Sequence, residues 1–290
     1  MLKKLGLLTK TSELKGVLKE FKESFMYIGV ASMFINLLML VPTLYMLQLY
    51  DRVLASRSET TLIMLTIIVI FLFIMTSSLE LIRSRILVRV GNNIDSKLSP
   101  RVFGSMFLLA GDSPGSANSR PLSDLTHVRQ FLTGTPIFAI FDAPWMPIYI
   151  GVLFLFHPYF GWFSIAAAIV VFILMIMNEK KTKQTLEDSN KAFANSSNFI
   201  NASLRNVEVV EAMGMRENLR KRWYGKYMEF MTLQSTASDE AGLWSNTLKM
   251  VRMMSQSLIL GLGAYLVIKG ELSAGMMIAG SIIMGKALGP

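Results

Sequence analysis

Cysteine is absent from this chain of 290 residues, and histidine occurs only as His127 and His157. The lack of cysteine excludes disulfides, thiolate metal ligands and cysteine nucleophiles. Charged residues make up only 17% of the chain, whereas about a quarter is usual in a soluble domain. The chain also lacks the P-loop, HExxH, GxSxG and EF-hand patterns. We therefore expect no catalytic residue, no metal ligand and no ATP-binding residue in it.

Long apolar runs occupy much of the sequence instead. Hydrophobic residues make up 52% of the chain, and its mean hydropathy is +0.45. Six runs approach the length of about 17–25 residues that a membrane-spanning helix requires. These predicted spans cover approximately residues 25–47, 60–80, 137–156, 159–178, 253–269 and 273–289. The sequence thus predicts an all-α integral membrane protein, with six transmembrane helices in one domain over residues 25–290.

The net charge of +9 is unevenly distributed along the chain. Most basic residues lie before the first predicted span or in two long connections, from the second span to the third and from the fourth to the fifth. The other connections carry only Arg52, Arg57 and Lys269. By the positive-inside rule, the N-terminus and both long connections are cytoplasmic, and His127 and His157 lie on opposite sides of the membrane. Because the charge follows this topology, it argues against a nucleic-acid partner.

Residues 1–24 precede the first span and include an amphipathic segment. The apolar residues on one helical face of this segment are Leu14, Val17, Leu18, Phe21 and Phe25. Such a segment forms either a short soluble helix or an interfacial helix that lies flat on the membrane. Its position directly before a span favours the interfacial helix.

The two long connections have helical periodicity rather than loop composition. Apolar residues continue at helical spacing beyond the second span, up to the breaker-rich stretch GDSPGSANSRP at 111–121. The connection between the fourth and fifth spans has the same plan, with the short motif EAMGMRENLRKRW at 211–223. We expect two long cytoplasmic helical hairpins, each with a short element at its tip. Each tip either docks on a cytoplasmic partner or is a solvated charged turn.

The third span begins with the stretch FDAPWMPIYIGVLFLFHPYFG at 141–161. Pro144 and Pro147 each remove a backbone donor just inside an apolar run. One interpretation makes Asp142 the N-cap of a helix that has Pro144 in its first turn. The other makes the helix continuous from residue 122, with both prolines kinking it at the membrane surface. Trp145 suits an interfacial anchor and favours the kink, so that Asp142 is structural rather than catalytic.

Polar and small residues within the spans are few. We expect Pro42 to kink the first span, and Asn36 and Gln48 to form interhelical hydrogen bonds. Small residues of the sixth span, namely Gly275, Ala279 and Gly280, fit close helix packing. Charged residues are nearly absent at mid-membrane, where ion-coupled carriers usually place them.

Three stretches carry a resemblance to a known family. They are LYDRVLASRSETTL at 49–62, the stretch at 141–161 and NVEVVEAMGM at 206–215, with weaker support from GNNIDSKLSPRVF at 91–103. Together with the six spans and the two hairpins, they resemble the transmembrane half of an ABC exporter. More specifically, the chain is similar to the exporters of type I secretion systems, in the alkaline-protease secretion subgroup.

The resemblance implies a homodimer in the bacterial inner membrane, in which each subunit also has an ATP-binding domain. ATP and Mg would bind in that domain, and the full-length protein would be an ATPase and translocase. The cargo would be an unfolded secreted protein, protease-like and with a C-terminal signal, and a periplasmic adaptor and an outer-membrane channel would complete its path. Elements at the hairpin tips would couple the membrane domain to the ATP-binding domains. The implied coupling residues are Asp112, Ser113, Pro114, Glu211, Met213, Gly214, Met215 and Arg216.

Two further expectations concern the two ends of the sequence. The sequence stops at Pro290, where the sixth span would lead into the ATP-binding domain, so we expect that domain to have been truncated. The short N-terminal segment leaves no room for the peptidase or peptidase-like domain of some related exporters. Two other functions remain open, namely a six-helix ion-coupled carrier or channel, and a membrane-anchored scaffold that binds a partner.

Overall fold

The computed structural model describes residues 22–112 and 120–290 of the chain, and within these ranges the regular structure is helical, without a strand. This confirms the all-α prediction for the described residues. The described residues belong to two compact units. The first unit contains the residues up to 161 together with 259–290, and the second contains 162–258.

The first unit holds most of the helices. In chain order these are α1 (Lys22–Leu38), α2 (Val41–Gln48), a π-helical turn (Leu49–Val53), α3 (Leu54–Ser56), α4 (Glu59–Asp112), α5 (Arg120–Thr133), α6 (Thr135–Asp142), a 3-10 turn (Ala143–Trp145), α7 (Met146–Phe156) and α11 (Ala274–Ala287). The first residues of α8 (Pro158–Arg205) and the last residues of α10 (Arg216–Ile268) also belong to this unit. The rest of α8, from Trp162 to its end, and the first part of α10, up to Leu258, form the second unit together with α9 (Val207–Ala212).

Five helical segments of the described residues are long and apolar enough to cross a membrane. They run over Lys22–Ser56, Glu59–Phe107, Pro136–Phe156, Pro158–Arg205 and Arg216–Ile268. The sixth apolar helix, α11, has 14 residues, which at 1.5 Å per residue is shorter than the roughly 30 Å of a bilayer core. Helix length and composition therefore support five of the six predicted spans, and the sixth remains a prediction.

The first span extends further than the prediction of 25–47. The helical path is interrupted at Met39 and Leu40, just before α2, whose second residue is Pro42, and then continues through the π-helical turn to Ser56. The charge count had assigned Arg52 to the connection after this span. A π-helical turn widens the helix by one residue per turn and redirects its side chains, and here it brings Asp51 to α11, as described below.

The second span continues as one helix, α4, for 54 residues, or about 80 Å at 1.5 Å per residue. Its far part packs along α5, and Arg129 on α5 donates a hydrogen bond of 3.2 Å from Nη1 to Asp95 Oδ2 on α4. The part of α4 around residue 87 packs against α1. There Ile28, Leu87 and Ile137 form a buried apolar cluster. The expected extension of the second span beyond an ordinary bilayer is thus present.

In the second unit, α8 and α10 pack side by side as an antiparallel pair. Ser189 Oγ donates to Gln234 Oε1 at 2.9 Å, and the ring centroids of Phe193 and Phe230 are 5.1 Å apart. The residues buried between the two helices are small, and they are Ser189, Ala192, Ser196 and Ala237. The two helices contact each other through side chains such as these, and we call the pair the arm.

Candidate functional site

The tip of the arm is a short helix followed by a tight turn. Helix α9 ends at Ala212, and Gly214 adopts a left-handed conformation with φ of +62°. The N–H of Gly214 donates to Glu211 O at 3.1 Å, and the N–H of Met215 donates to Val210 O at 3.0 Å. This pair of hydrogen bonds is the Schellman motif, in which glycine is favoured because it has no Cβ. The turn therefore fixes the direction in which α10 leaves the tip.

The surface of the tip is apolar and charged at the same time. Arg216 Nη1 lies 3.9 Å from Glu211 Oε1, and both side chains are largely exposed. Four apolar side chains, Val207, Val209, Met213 and Met215, are also exposed there. Clustered exposed apolar side chains with charged neighbours are typical of a protein-contact surface. The structure thus brings together the predicted coupling residues Glu211, Met213, Gly214, Met215 and Arg216.

A groove of about 250 Å³ runs beside this tip, between the end of α8 and the start of α10. Its lining residues are Phe199, Ile200, Ser203, Leu204, Arg216, Leu219, Arg220 and Trp223. The indole Nε1 of Trp223 is buried without a hydrogen-bond partner among the described residues. The groove has an apolar lining and two exposed arginines.

The other predicted coupling element falls mostly outside the described residues. Asp112 is the last residue of α4, which is where the breaker-rich stretch predicts the end of the helix. Ser113 and Pro114 lie outside the described residues. The role of all three residues therefore stays a prediction.

The helix that leads into the third span changes its winding at the prolines where the sequence predicts a kink. Helix α6 ends at Asp142, a 3-10 turn covers 143–145, and α7 begins at Met146. Pro144 and Pro147 each occupy the first or second position of the element they enter, where a missing N–H costs little. The side chain of Asp142 forms no capping hydrogen bond. The path is therefore helical throughout, with one 3-10 turn in it, and Trp145 is half-buried at that turn. Whether the prolines kink the path stays a prediction.

Asp142 instead accepts hydrogen bonds from two other helices of the first unit. Its Oδ1 accepts from Arg83 Nη1 on α4 at 3.1 Å and from Asn36 Nδ2 on α1 at 2.8 Å. Arg83 Nη1 also donates to Ser32 Oγ at 3.0 Å. The side chain of Arg83 is 7% exposed and that of Asp142 is 19% exposed, so the ion pair is largely shielded from water.

Two aromatic residues complete this cluster. The guanidinium of Arg83 lies 4.5 Å from the ring centroid of Phe138, in cation–π geometry. Tyr149 is buried, and its hydroxyl donates to the side-chain and backbone oxygens of Asn36, at 3.0 Å each. Asn36 therefore makes the interhelical hydrogen bonds expected of it, whereas Gln48 has no partner among the described residues.

Sequence reasoning missed Arg83 as a member of this cluster. It counted Arg83 only among the basic residues that indicate the cytoplasmic side. A signal was available, because Arg83 shares a helical face with Leu87, Val90 and Ile94, which are all buried. A lone arginine on a buried apolar face requires a partner in the fold.

At the opposite end of α7, a second polar contact joins distant parts of the first unit. Asp51 Oδ1 accepts a hydrogen bond of 2.9 Å from the N–H of Gly275, and Asp51 Oδ2 accepts one from Ser273 Oγ. Ser273 is itself the N-cap of α11 and accepts from the N–H of Met276 at 3.1 Å. A carboxylate at a helix N-terminus satisfies free N–H groups and favours the helix dipole. We call this end of the unit the capped end.

His157 forms another link at the capped end. Its Nδ1 accepts a hydrogen bond from the N–H of Tyr159 at 3.2 Å, while its Nε2 lies 3.3 Å from Glu271 Oε2. Because Nδ1 accepts a hydrogen bond, the N–H of the ring is at Nε2, and this N–H faces the carboxylate of Glu271. The histidine thus joins the turn between α7 and α8 to the turn between α10 and α11.

Comparison with known proteins identifies relatives over nearly the whole chain. A family model described as the ABC transporter transmembrane region matches residues 25–288. The type I secretion system ATP-binding protein PrsD of Rhizobium meliloti is 37% identical over 94% of this chain and 47% of its own length. The toxin RTX-I translocation ATP-binding protein of Actinobacillus pleuropneumoniae is 22% identical over 93% of this chain and 39% of its own length.

A leukotoxin translocation ATP-binding protein, LktB of Mannheimia haemolytica, is 21% identical over 93% of this chain and 39% of its own length. The chain therefore spans about half the length, or less, of the curated relatives that it matches. These matches confirm the resemblance that the three sequence stretches indicated.

Proposed function

Because the chain belongs to the family of ABC transporter transmembrane regions, we propose that it is the membrane domain of a dimeric, ATP-driven exporter of a type I secretion system. The supporting observation is its 37% identity, over 94% of the chain, with a type I secretion system ATP-binding protein. The proposed cargo is an unfolded secreted protein, protease-like and with a C-terminal signal. It would cross the bacterial inner membrane through the domain formed by two copies of this chain.

The proposed coupling surface is the tip of the arm. Its exposed apolar side chains and the Glu211–Arg216 pair suit contact with an ATP-binding domain. Helices α8 and α10 are 48 and 53 residues long, so each can transmit a displacement of the tip along its length as a rigid rod. Asp112, Ser113 and Pro114 would belong to the second coupling element.

ATP and Mg would bind in the ATP-binding domain and not in this chain. The sequence has no P-loop glycines with a following lysine and hydroxyl, and the described residues contain no cluster of three or more His, Cys, Asp or Glu side chains. We propose that the contribution of this chain is mechanical. It changes shape when the attached domains bind and hydrolyse the nucleotide.

The proposed topology places the N-terminus and the arm tip in the cytoplasm and the capped end in the periplasm. The short connections at the capped end leave a small surface there, which a periplasmic adaptor would contact and extend towards an outer-membrane channel. Residues 1–24 would form an interfacial helix, and the sixth span would cover 273–289. Basic residues are concentrated in the segments assigned to the cytoplasm, which supports this orientation.

A reconstituted transport assay tests this function. The chain, joined to its ATP-binding domain, is placed in liposomes, and ATP-dependent uptake of an unfolded protein with a C-terminal signal is measured. The same protein without its signal, and a hydrolysis-deficient ATP-binding domain, serve as controls. Uptake should require both the signal and hydrolysis. Uptake that follows an ion gradient without ATP would instead support a carrier and contradict the proposal.

A further inference from the structure

The groove beside the tip of the arm is small and has an apolar lining. Phe199, Ile200 and Leu204 line it from α8, and Leu219 and Trp223 line it from α10. Its volume of about 250 Å³ is below the roughly 300–1,000 Å³ of pockets that hold drug-sized ligands. The groove therefore suits a short apolar part of a peptide rather than a large cofactor.

Two arginines of the groove have N–H donors to spare. Arg216 Nη1 lies 3.9 Å from Glu211 Oε1, which is longer than a hydrogen bond. Arg220 uses Nη2 on Glu217 Oε2, 2.9 Å away, but a guanidinium has further N–H groups on its other nitrogens. Both arginine side chains are largely exposed. Each guanidinium can therefore bind an additional carboxylate.

Two further observations favour a negatively charged ligand. The indole Nε1 of Trp223 is buried without a hydrogen-bond partner among the described residues, and an N–H left in this state costs free energy. Residues 205–226, which include the tip, contain six basic and three acidic side chains. The excess of positive charge attracts an anionic group, and a carboxylate in the groove would bring an acceptor to the wall that contains this indole.

An apolar group and a carboxylate occur side by side at the C-terminus of a peptide. The last residue carries its side chain and the terminal carboxylate on the same Cα. Inside an extended chain, neighbouring side chains point to opposite faces, so an acidic residue and the apolar residue next to it would not enter one small groove together. Capture of a terminal carboxylate is also a recurrent mode of peptide recognition. The groove thus fits a chain end better than an internal segment.

We propose that this groove binds the C-terminus of the cargo, with the last apolar side chain against Leu204 and Leu219 and the terminal carboxylate on Arg216 and Arg220. This inference rests on the proposed function, which supplies a cargo with a C-terminal signal on the cytoplasmic side. The arm would then recognise the signal in addition to coupling the membrane domain to the ATP-binding domain. The ATP-binding domain itself is the competing occupant of the groove.

Peptide binding to the assembled exporter tests the proposal. The chain, joined to its ATP-binding domain, is titrated in detergent into a fluorescein-labelled peptide, Gly-Ser-Gly-Ser-Gly-Ser-Leu-Leu, and the fluorescence anisotropy is recorded. A matched peptide has the same sequence and an amidated C-terminus. The peptide with the free carboxylate should bind at least about tenfold more tightly than the amide, as expected for hydrogen bonds to a charged group.

Arg220→Gln tests whether the carboxylate binds in this groove. The free-acid peptide should lose roughly tenfold in affinity for this variant, whereas the amidated peptide should bind as it does to the unsubstituted exporter. Arg222→Gln is the matched control, because Arg222 is an exposed arginine of the same helix that does not line the groove. It should leave both affinities unchanged.

Leu204→Ser tests the apolar part of the site. Leu204 is largely exposed, so the substitution leaves the packing between α8 and α10 intact. It should weaken both peptides by roughly threefold to tenfold, because their last side chain loses apolar contact. Leu186→Ser, at an exposed position of α8 outside the groove, is the control and should weaken neither.

The cargo is then used as a competitor of the labelled peptide. Cargo with its own C-terminus should displace the peptide from the exporter. Cargo extended by Gly-Ser-Gly-Ser still ends in a carboxylate, but the side chain of its last residue is polar, so it should not displace the peptide. Equal displacement by the two forms would contradict recognition of the cargo terminus.

The outcomes separate this proposal from the proposed function. If the unsubstituted exporter moves no cargo with ATP, the proposed function fails, whereas the titration still reports whether the groove binds a peptide C-terminus. If it exports cargo but binds the two peptides equally, or binds neither, the groove proposal is wrong. It is also wrong if Arg220→Gln and Leu204→Ser lower the ATPase rate without cargo and leave peptide binding unchanged, since the groove then contacts the ATP-binding domain. If Arg220→Gln fails to fold, the comparison of the two peptides together with Leu204→Ser decides.

Discussion

Asp51 and Gly275 are 224 positions apart in the sequence, yet the carboxylate of the first accepts a hydrogen bond of 2.9 Å from the N–H of the second. A Cβ at position 275 would lie only 2.6 Å from Asp51 Oδ1. Glycine therefore allows the carboxylate to approach the backbone of α11. The π-helical turn at 49–53 places Asp51 at this point, and so the end of the first span is tied to the start of α11.

The first prediction concerns this cap. Asp51→Ala should lower the free energy of unfolding by about 1 kcal/mol, because α11 loses a capping acceptor and a favourable charge at its N-terminus. The thermal unfolding midpoint in detergent, measured by circular dichroism, checks this. Arg52→Ala, at the exposed neighbouring position, is the control and should unfold like the unsubstituted protein. Equal unfolding midpoints for the two variants would contradict the capping role.

The second prediction concerns close packing on α11. Gly280 lies directly against the fully buried ring of Phe160. Gly280→Ala should destabilise the protein by about 1–3 kcal/mol, as overpacking usually does. Gly261→Ala is the matched control, because a Cβ there meets nothing within 4 Å. Thermal unfolding of both variants is the measurement, and an unaffected Gly280→Ala would show that Phe160 moves aside without cost.

The third prediction concerns the turn at the arm tip. Gly214→Ala should cost about 1–2 kcal/mol locally, because a residue with a Cβ is strained in a left-handed conformation. Hydrogen exchange at the backbone N–H groups of positions 214 and 215 should become faster in the variant. Gly225→Ala lies inside α10, where a Cβ meets nothing within 4 Å, and should leave that exchange unchanged. Unaltered exchange in Gly214→Ala would mean that the turn tolerates the side chain.

The fourth prediction concerns coupling. Arg216→Glu places a second negative charge beside Glu211 on the proposed coupling surface, and should reduce cargo export per ATP hydrolysed while the protein still folds. The ATPase rate and the export rate of the full-length exporter, measured together, give this ratio. Lys191→Glu is the control, since Lys191 is an exposed member of an ion pair on α8, away from the tip. An unchanged ratio in Arg216→Glu would remove Arg216 from the coupling surface.

Local sequence patterns were sufficient for much of the fold. The apolar spacing after residue 80 predicted that the second span continues as a long helix, and α4 does so up to Asp112. The motif at 211–223 predicted a short element at the tip of the hairpin, and Gly214 within it has the positive φ that glycine adopts most easily. The helical path of the first span continues to Ser56, past the predicted end near residue 47.

The partners of the buried polar groups were beyond the reach of sequence reasoning. Asp142 was predicted to be structural, but nothing near it in the sequence identified Arg83, 59 positions earlier, or Asn36, 106 positions earlier. Their contact depends on how three helices align along their axes. A shift of one residue in that alignment would separate the charges, since neighbouring residues of a helix face different directions.

The sequence by itself determined that this protein is helical and that its helices are apolar enough for a membrane, because run length, charge asymmetry and helical spacing are local properties of the chain. Only the tertiary structure decided which distant groups Asp51 and Asp142 contact. Asp51 contacts α11 and Asp142 contacts Arg83 because packing fixes the distances between helices. Electrostatic interactions and hydrogen bonds depend on those distances to within a few tenths of an ångström.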